Sequence, residues 1–201
     1  MTITPPTRER ILEVAIAAIE IGGEASLRVD AVAESAAITK PSIYHFFGDR
    51  DGLIAAAEAE RYRRSVLSGL DQAIALTLAA TSRNDFEALL PLFVDIAMDA
   101  TGALRRAQRI QVLGSAVSRP ELTVEIVEAT KRAVSLTSEI LAIATDRGWI
   151  TPTYSDDAIA LWWLSLTMGR HLFDLIDDEQ LHHEWRAMAL ANLRLLCLGE
   201  L

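Results

Sequence analysis

Apolar positions recur at three- and four-residue intervals along nearly the whole chain, and no stretch alternates as a half-buried strand would. The pattern predicts helices throughout. Ile11, Leu12, Ala15, Ile16 and Ile19 form the stripe of a first helix, which Thr7 can cap and Gly22-Gly23 ends. Val29, Val32, Ala33 and Ala36 fall at i, i+3, i+4 and i+7 and predict a second, short helix. Ala36-Ala37-Ile38 then makes a tight turn. Thr39 caps a third helix, with Pro41 in its first turn, where a missing N–H costs nothing. Ile43, Phe46 and Phe47 are expected to face inward, which leaves Lys40, Ser42, Tyr44 and His45 outward. Gly48 stops this helix. Asp49 or Asp51 starts a long one through Leu53, Ala57 and Tyr62, reaching as far as Ala80.

Longer helices follow. Asn84 or Asp85 opens one with Phe86, Leu89, Leu90, Phe93, Ile96 and Ala97. Another runs from about Ala103 to Val117, and Pro120 begins a long one that ends near Gly148. TPTYSDD reads as a loop, and Ser155 caps a helix over Asp156 to Ile176. That helix carries two apolar stripes, Ile159-Trp162-Leu166-Gly169-Phe173 and Leu161-Leu164-Met168-Leu172-Leu175, so it is expected to be covered on two sides. A last helix spans roughly Leu181 to Leu198. The expected fold class is all-α.

Composition narrows the picture. The chain has 201 residues, half of them apolar, enough to bury a core without covalent staples. Its one cysteine, Cys197, allows no intrachain disulfide, which agrees with a reducing, cytoplasmic setting. The opening MTITPPTRER has no apolar h-region, so no secretory leader is expected, and no window is long and apolar enough for a membrane span. Net charge is −9, which argues against a protein wrapped in nucleic acid. Residues 1–64 hold eight Lys or Arg against ten Asp or Glu, so most of the negative excess lies further on. Any DNA contact must rest on a local patch.

The stretch TKPSIYHFFGDRDGL supplies one. Two short helices joined by a tight turn describe a helix-turn-helix, whose second helix puts its N-terminal, outward residues against base edges in the major groove. Thr39 and Ser42 can donate to phosphates or bases, Lys40 can neutralise a phosphate or donate to guanine, and Pro41 can touch a thymine methyl. Tyr44 and His45 offer a hydroxyl and an imidazole to the backbone. Arg50 lies by the N-terminus of the next helix, whose amides also attract phosphate. Arg28 precedes the second helix and can clamp the other flank.

Those residues carry a resemblance. Gly23, Val32-Ala33, Ile38-Thr39, Ile43-Tyr44, Phe47, Arg50 and Leu53 follow one another as in the DNA-binding domain of the TetR family of transcriptional regulators, which residues 7–53 resemble. Ala37 departs from the family's usual glycine in the turn; if that position needs a positive φ, alanine costs about 1 kcal/mol there. Phe46 replaces a frequent His or Tyr, Arg50 a lysine, and Arg28 a capping Ser or Thr.

The resemblance implies an N-terminal helix-turn-helix DNA-binding domain over 1–53 and a C-terminal helical ligand-binding and dimerisation domain over 54–201. It implies a homodimeric regulator, a repressor or an activator of the same fold, that leaves a near-palindromic double-stranded DNA operator when a small-molecule effector binds. Phe93, Leu113, Trp163, Thr167 and His171 are the candidates to line the effector pocket. Trp162, Leu166, Gly169, Phe173, Trp185, Met188 and Leu193 are the candidates for the dimer interface. No cofactor is implied.

Other classes are weaker. His171 with Asp174, and His182-His183-Glu184 nearby, have metal-ligand residue types, but exposed polar residues beside a loop explain them better. There is no Gly-rich phosphate loop, no His-Glu-x-x-His and no G-x-S-x-G, so an enzyme is not expected. A helical protein–protein adaptor using the same patch is the remaining alternative.

Overall fold

The structure, a computed structural model, describes residues 7–98 and 100–199. The first six residues of the MTITPPTRER stretch lie outside that range. Every regular element described is helical, as expected. The chain divides into two compact units, one formed by residues up to 64 with 111–127, the other by 65–110 with 128–201.

The first unit begins with α1 (Thr7–Gly22), whose predicted stripe is buried in full. Gly23, at φ 72°, turns the chain into a 3-10 turn at Glu24–Ser26. Then come α2 (Val29–Ser35), α3 (Lys40–Phe47) and α4 (Arg50–Leu67). One core joins Ile11, Ile16, Leu27, Val32, Ile43 and Leu53. All but Leu27, which lies in the link before α2, come from positions that a 3.6-residue period puts on one face, and burying such side chains contributes roughly 1.5–3 kcal/mol apiece. Phe47 packs against this core, but Phe46 stays 42% exposed, contrary to the expectation that both aromatics turn inward. Ile43 and Phe47 are one helical turn apart and share a face; Phe46 is rotated about 100° from Phe47.

The second unit holds α5 (Leu70–Ala79), α6 (Arg83–Met98), the first part of α7 (Ala100–Ala116), most of α8 (Pro120–Asp146), α9 (Asp156–Gly169), α10 (His171–Asp174) and α11 (Glu179–Leu198). Two breaks differ from the sequence reading. The helix expected to run on to Ala80 ends at Leu67, because Gly69 adopts φ 82° before α5. The helix expected over 156–176 is interrupted at Arg170, whose side chain turns inward to Asp174. Ser155 caps α9 through Ala158 N–H as predicted, and Asp178 caps α11 through Leu181 N–H. Phe86, Leu90, Val94, Ile140, Leu141, Ile159, Leu193 and Cys197 form the unit's core.

Candidate functional site

The turn between α2 and α3 is built on backbone geometry. Ala37 sits at φ 52°, the only non-glycine residue with positive φ among those described. Ile38 N–H donates to Ala33 O at 3.0 Å and Ala37 N–H to Glu34 O at 3.1 Å, which closes the end of α2 as a left-handed helix cap does. That closure aims α3. Thr39 occupies the N-cap, but its hydroxyl pairs with Ser42 Oγ at 2.9 Å instead of accepting from a backbone amide. Both hydroxyls thus stand together at the start of the helix.

The other predicted contact residues lie on one accessible face. Pro41, Tyr44 and His45 are exposed, with Tyr44 at 41%. The His45 ring meets the edge of Phe46, with centroids 5.4 Å apart. Lys40 Nζ is 2.9 Å from Asp30 on α2, and the hydrogen bond with Asp30 holds its pKa above the ordinary lysine value. An exposed pair of this kind is weak, so Lys40 can exchange Asp30 for a phosphate. Arg28 is exposed at the N-cap of α2.

Arg50 is used differently. Its Nε donates to Leu27 O at 2.9 Å and its Nη2 to Glu24 O at 2.6 Å. The side chain therefore ties the turn before α2 to the start of α4. Glu24 is gripped from a second side. Its carboxylate accepts from Ser115 Oγ at 2.6 Å and from Arg119 Nη2 at 2.9 Å. Burial raises the Glu24 carboxyl, but the Ser115 and Arg119 hydrogen bonds and the charges of Arg119 and Arg50 outweigh it and leave the pKa below the usual range.

Sequence reasoning missed Gly52. A Cβ there would lie 2.0 Å from the Phe47 carbonyl oxygen, so the first turn of α4 passes against the last turn of α3 with no room for a side chain. Asp49 caps that turn, its Oδ1 accepting from Gly52 N–H at 2.7 Å. The GDRDG spacing was visible; the close approach was not.

The second unit holds a partly open cavity of about 550 Å³. Phe93, Trp163 and Thr167 line it, while Leu113 and His171 are not among its lining residues. Arg105, Arg106 and Arg109, which the sequence reading did not single out, also line it. Arg106 is 1% exposed and makes a two-pronged bond to Asp174, at 2.6 and 2.7 Å. Of the residues expected at a dimer interface, Met188 is 64% exposed and Gly169 is exposed. Trp162 is half-buried. Leu166 and Trp185 pack partly against the core, and the Phe173 and Trp185 rings lie 5.9 Å apart. Leu193, at 6%, is buried in the unit's core. His182 Nε2 lies 2.9 Å from Ile176 O. Among the described residues no group of His, Cys, Asp or Glu gathers as metal ligands, and no helix is long and apolar enough to cross a membrane.

A short helix held by a tight turn, with hydroxyls, a lysine and aromatic tips outward, has the arrangement of a helix-turn-helix motif. Residues 11–57 match the sequence profile of the bacterial regulatory proteins of the tetR family. No curated protein matches the whole sequence significantly. Solved structures do match the fold. A Mesorhizobium loti protein assigned to the TetR-family transcriptional regulators is similar at 16% identity, over 95% of this chain and 96% of its own, with a TM-score of 0.69. One from Rhodococcus sp., assigned likewise, is 23% identical over 94% and 97%, with a TM-score of 0.64. A transcriptional regulator of Saccharomonospora viridis, solved with choline, is 17% identical over 94% of both chains, with a TM-score of 0.60. Residues 11–57 thus carry the sequence profile of the tetR-family DNA-binding segment, and the chain as a whole has the all-helical fold of these TetR-family regulators of known structure.

Proposed function

We propose that this chain is a repressor that binds a near-palindromic double-stranded DNA operator as a homodimer and leaves it when a small molecule fills the cavity of the second unit. The observation that carries the reading is the outward face of α3, where Thr39, Lys40, Pro41, Ser42, Tyr44 and His45 stand free of the core. Residues 1–53 form the reading head. Lys40 and Tyr44 hold the phosphate backbone, Thr39, Pro41 and Ser42 meet base edges, and His45 and Arg28 reach the flanking phosphates. Arg50 steadies the head through its two carbonyl contacts and presents its remaining edge to DNA.

Residues 54–201 take the effector and the partner subunit. Leu161, Leu172, Leu175, Met188 and Leu195 leave an exposed apolar set on α9 to α11, which supports pairing with a second copy there. Trp162, Gly169, Phe173 and Trp185 border that set. The choline-bound Saccharomonospora viridis relative supports the search for a small molecule in the cavity. Effector binding and DNA binding oppose one another by the same factor, because coupling between sites is reciprocal. With an acidic body and few cationic contacts, non-specific DNA binding is weak, and the molecule works in the cytoplasm without being held by bulk nucleic acid.

The test is fluorescence anisotropy of the purified protein on DNA directly upstream of its own gene, and on sites selected from random sequence, with competitor DNA. Two subunits should bind per site. Lys40→Ala should weaken binding to every sequence and reduce the salt slope by about one. If selected sites show no preference over competitor, the DNA reading fails. If cavity ligands and operator bind with no mutual effect, the effector reading fails alone.

A further inference from the structure

The charge of the cavity points to the chemistry of its occupant. In a chain of net charge −9, α7 carries Arg105, Arg106 and Arg109 and no Asp or Glu. All three arginines line the cavity, and Asp95 is the one carboxylate beside them among its lining residues. Asp95 is already engaged, accepting from Arg186 Nε at 2.6 Å and Nη2 at 2.9 Å. Arg106 is committed to Asp174 and to Ala97 O, the latter at 2.8 Å. A Cβ on Gly102 would meet its Nη1 at 2.7 Å, so the guanidinium passes over the space the missing side chain leaves. Asp174 also faces Arg170 Nη1 at 3.4 Å, so this carboxylate has no spare charge for another cation. Arg105, half-buried at the wall, makes no ion pair among the described residues, and Arg109 follows one turn later on the same face of α7.

The lining also includes the apolar side chains of Phe86, Leu90, Phe93, Ile140, Ile159 and Trp163. A cavity of about 550 Å³ lined by arginine together with these apolar side chains suits a ligand with a charge at one end and a hydrocarbon body. A cation would meet like charge, and a neutral polar head would leave the Arg105 charge unanswered. We infer that the effector is an amphipathic organic anion, with its carboxylate or equivalent group at Arg105 and its apolar body against the apolar lining. Guanidinium groups suit this because they bind carboxylates through paired N–H donors.

The inference rests on the reading of the cavity as an effector site, and the experiment separates the two. Isothermal titration calorimetry on the full chain without DNA would compare decanoate, 1-decanol and decyltrimethylammonium, which share one body and differ in the head. Decanoate should bind once per protomer, roughly ten- to a hundredfold tighter than the alcohol, the range of a charge-assisted hydrogen bond, and the ammonium should not bind. Arg105→Gln should remove most of that preference without changing alcohol binding, and Arg105→Lys should restore part of it. Equal binding of the three heads, tighter binding of the ammonium, or no binding of decanoate would overturn the inference. So would decanoate binding that Arg105→Gln leaves unchanged. Selective decanoate binding that does not release operator DNA would leave the anion site standing and end the effector reading.

Discussion

Arg106 and Asp174 stand 68 positions apart in the chain, yet the carboxylate takes both the Nε and an Nη proton of the guanidinium. The pair is nearly sealed from water, with side-chain exposures of 2% and 9%. Burial raises the Asp174 carboxyl, but the Arg106 hydrogen bond and the charges of Arg106, Arg170 and His171 more than offset this and leave it below the usual carboxylate range.

Removing one partner would strand a buried charge. Asp174→Asn should cost about 3–5 kcal/mol, the range for a broken buried pair, seen as a lower denaturation midpoint in urea. The pH dependence has a definite sign. With a folded pKa below the unfolded one, Asp174 contributes stability that is present above the ordinary carboxylate range and is lost as the pH falls through the depressed value. Asp174→Asn should therefore flatten the acid limb of the stability curve. An unchanged acid limb would show that this pair does not govern it. Glu58 works in the opposite sense: burial raises it despite Arg61, so its contribution improves as the pH falls.

Gly52→Ala should damage the reading head without touching its DNA-facing side chains. The added Cβ would lie 2.0 Å from the Phe47 carbonyl oxygen, and backbone on both sides leaves no flexible group to yield. A loss of about 1–3 kcal/mol, as in overpacked cores, is expected, with operator affinity falling in parallel. Thermal unfolding and anisotropy on the same preparation check it. Normal values for both would mean the two helix ends separate easily.

Ala37→Gly should do the reverse. Ala37 holds φ 52°, which costs an L-residue about 1–2 kcal/mol, and glycine removes that strain while adding unfolded-state freedom of about 0.4–1 kcal/mol. A net gain of about 0.5–1 kcal/mol in chemical denaturation is expected, with operator affinity unchanged. A loss of stability would place the alanine methyl in a packing role.

Cys197 lies on the cavity wall but is buried, and burial, helped by the Asp156 charge, pushes its thiol up to about 12. Thiolate is the reactive form, so the folded protein should resist Ellman's reagent at pH 8 and release one equivalent after denaturation. Fast labelling of the native protein would show that the cavity wall opens.

The helices of the reading head were legible because each is short and carries its own signals. Ile11 to Ile19 repeat with the helical period, Gly23 and Gly48 stop their helices, and Thr39 starts α3. Ala37 was legible as a point of conflict between residue type and turn. The break at Gly69 was not, because an isolated glycine is tolerated inside many helices and only the local φ of 82° marks this one as a stop. The cavity arginines escaped for a different reason. RRAQR reads as a solvated helix face until neighbouring helices close over it.

The sequence alone determined the local elements, most of the outward residues of α3 and the resemblance carried by residues 7–53, since these depend on spacing within a few turns of chain. The tertiary structure alone decided where Arg50 spends its donors, how Glu24 is gripped by Ser115 and Arg119, and that Arg106 is buried against Asp174. Those pairings span from 23 to 95 positions. Periodicity reports which face of a helix is apolar, but it carries no information about which distant carbonyl or carboxylate that face will meet.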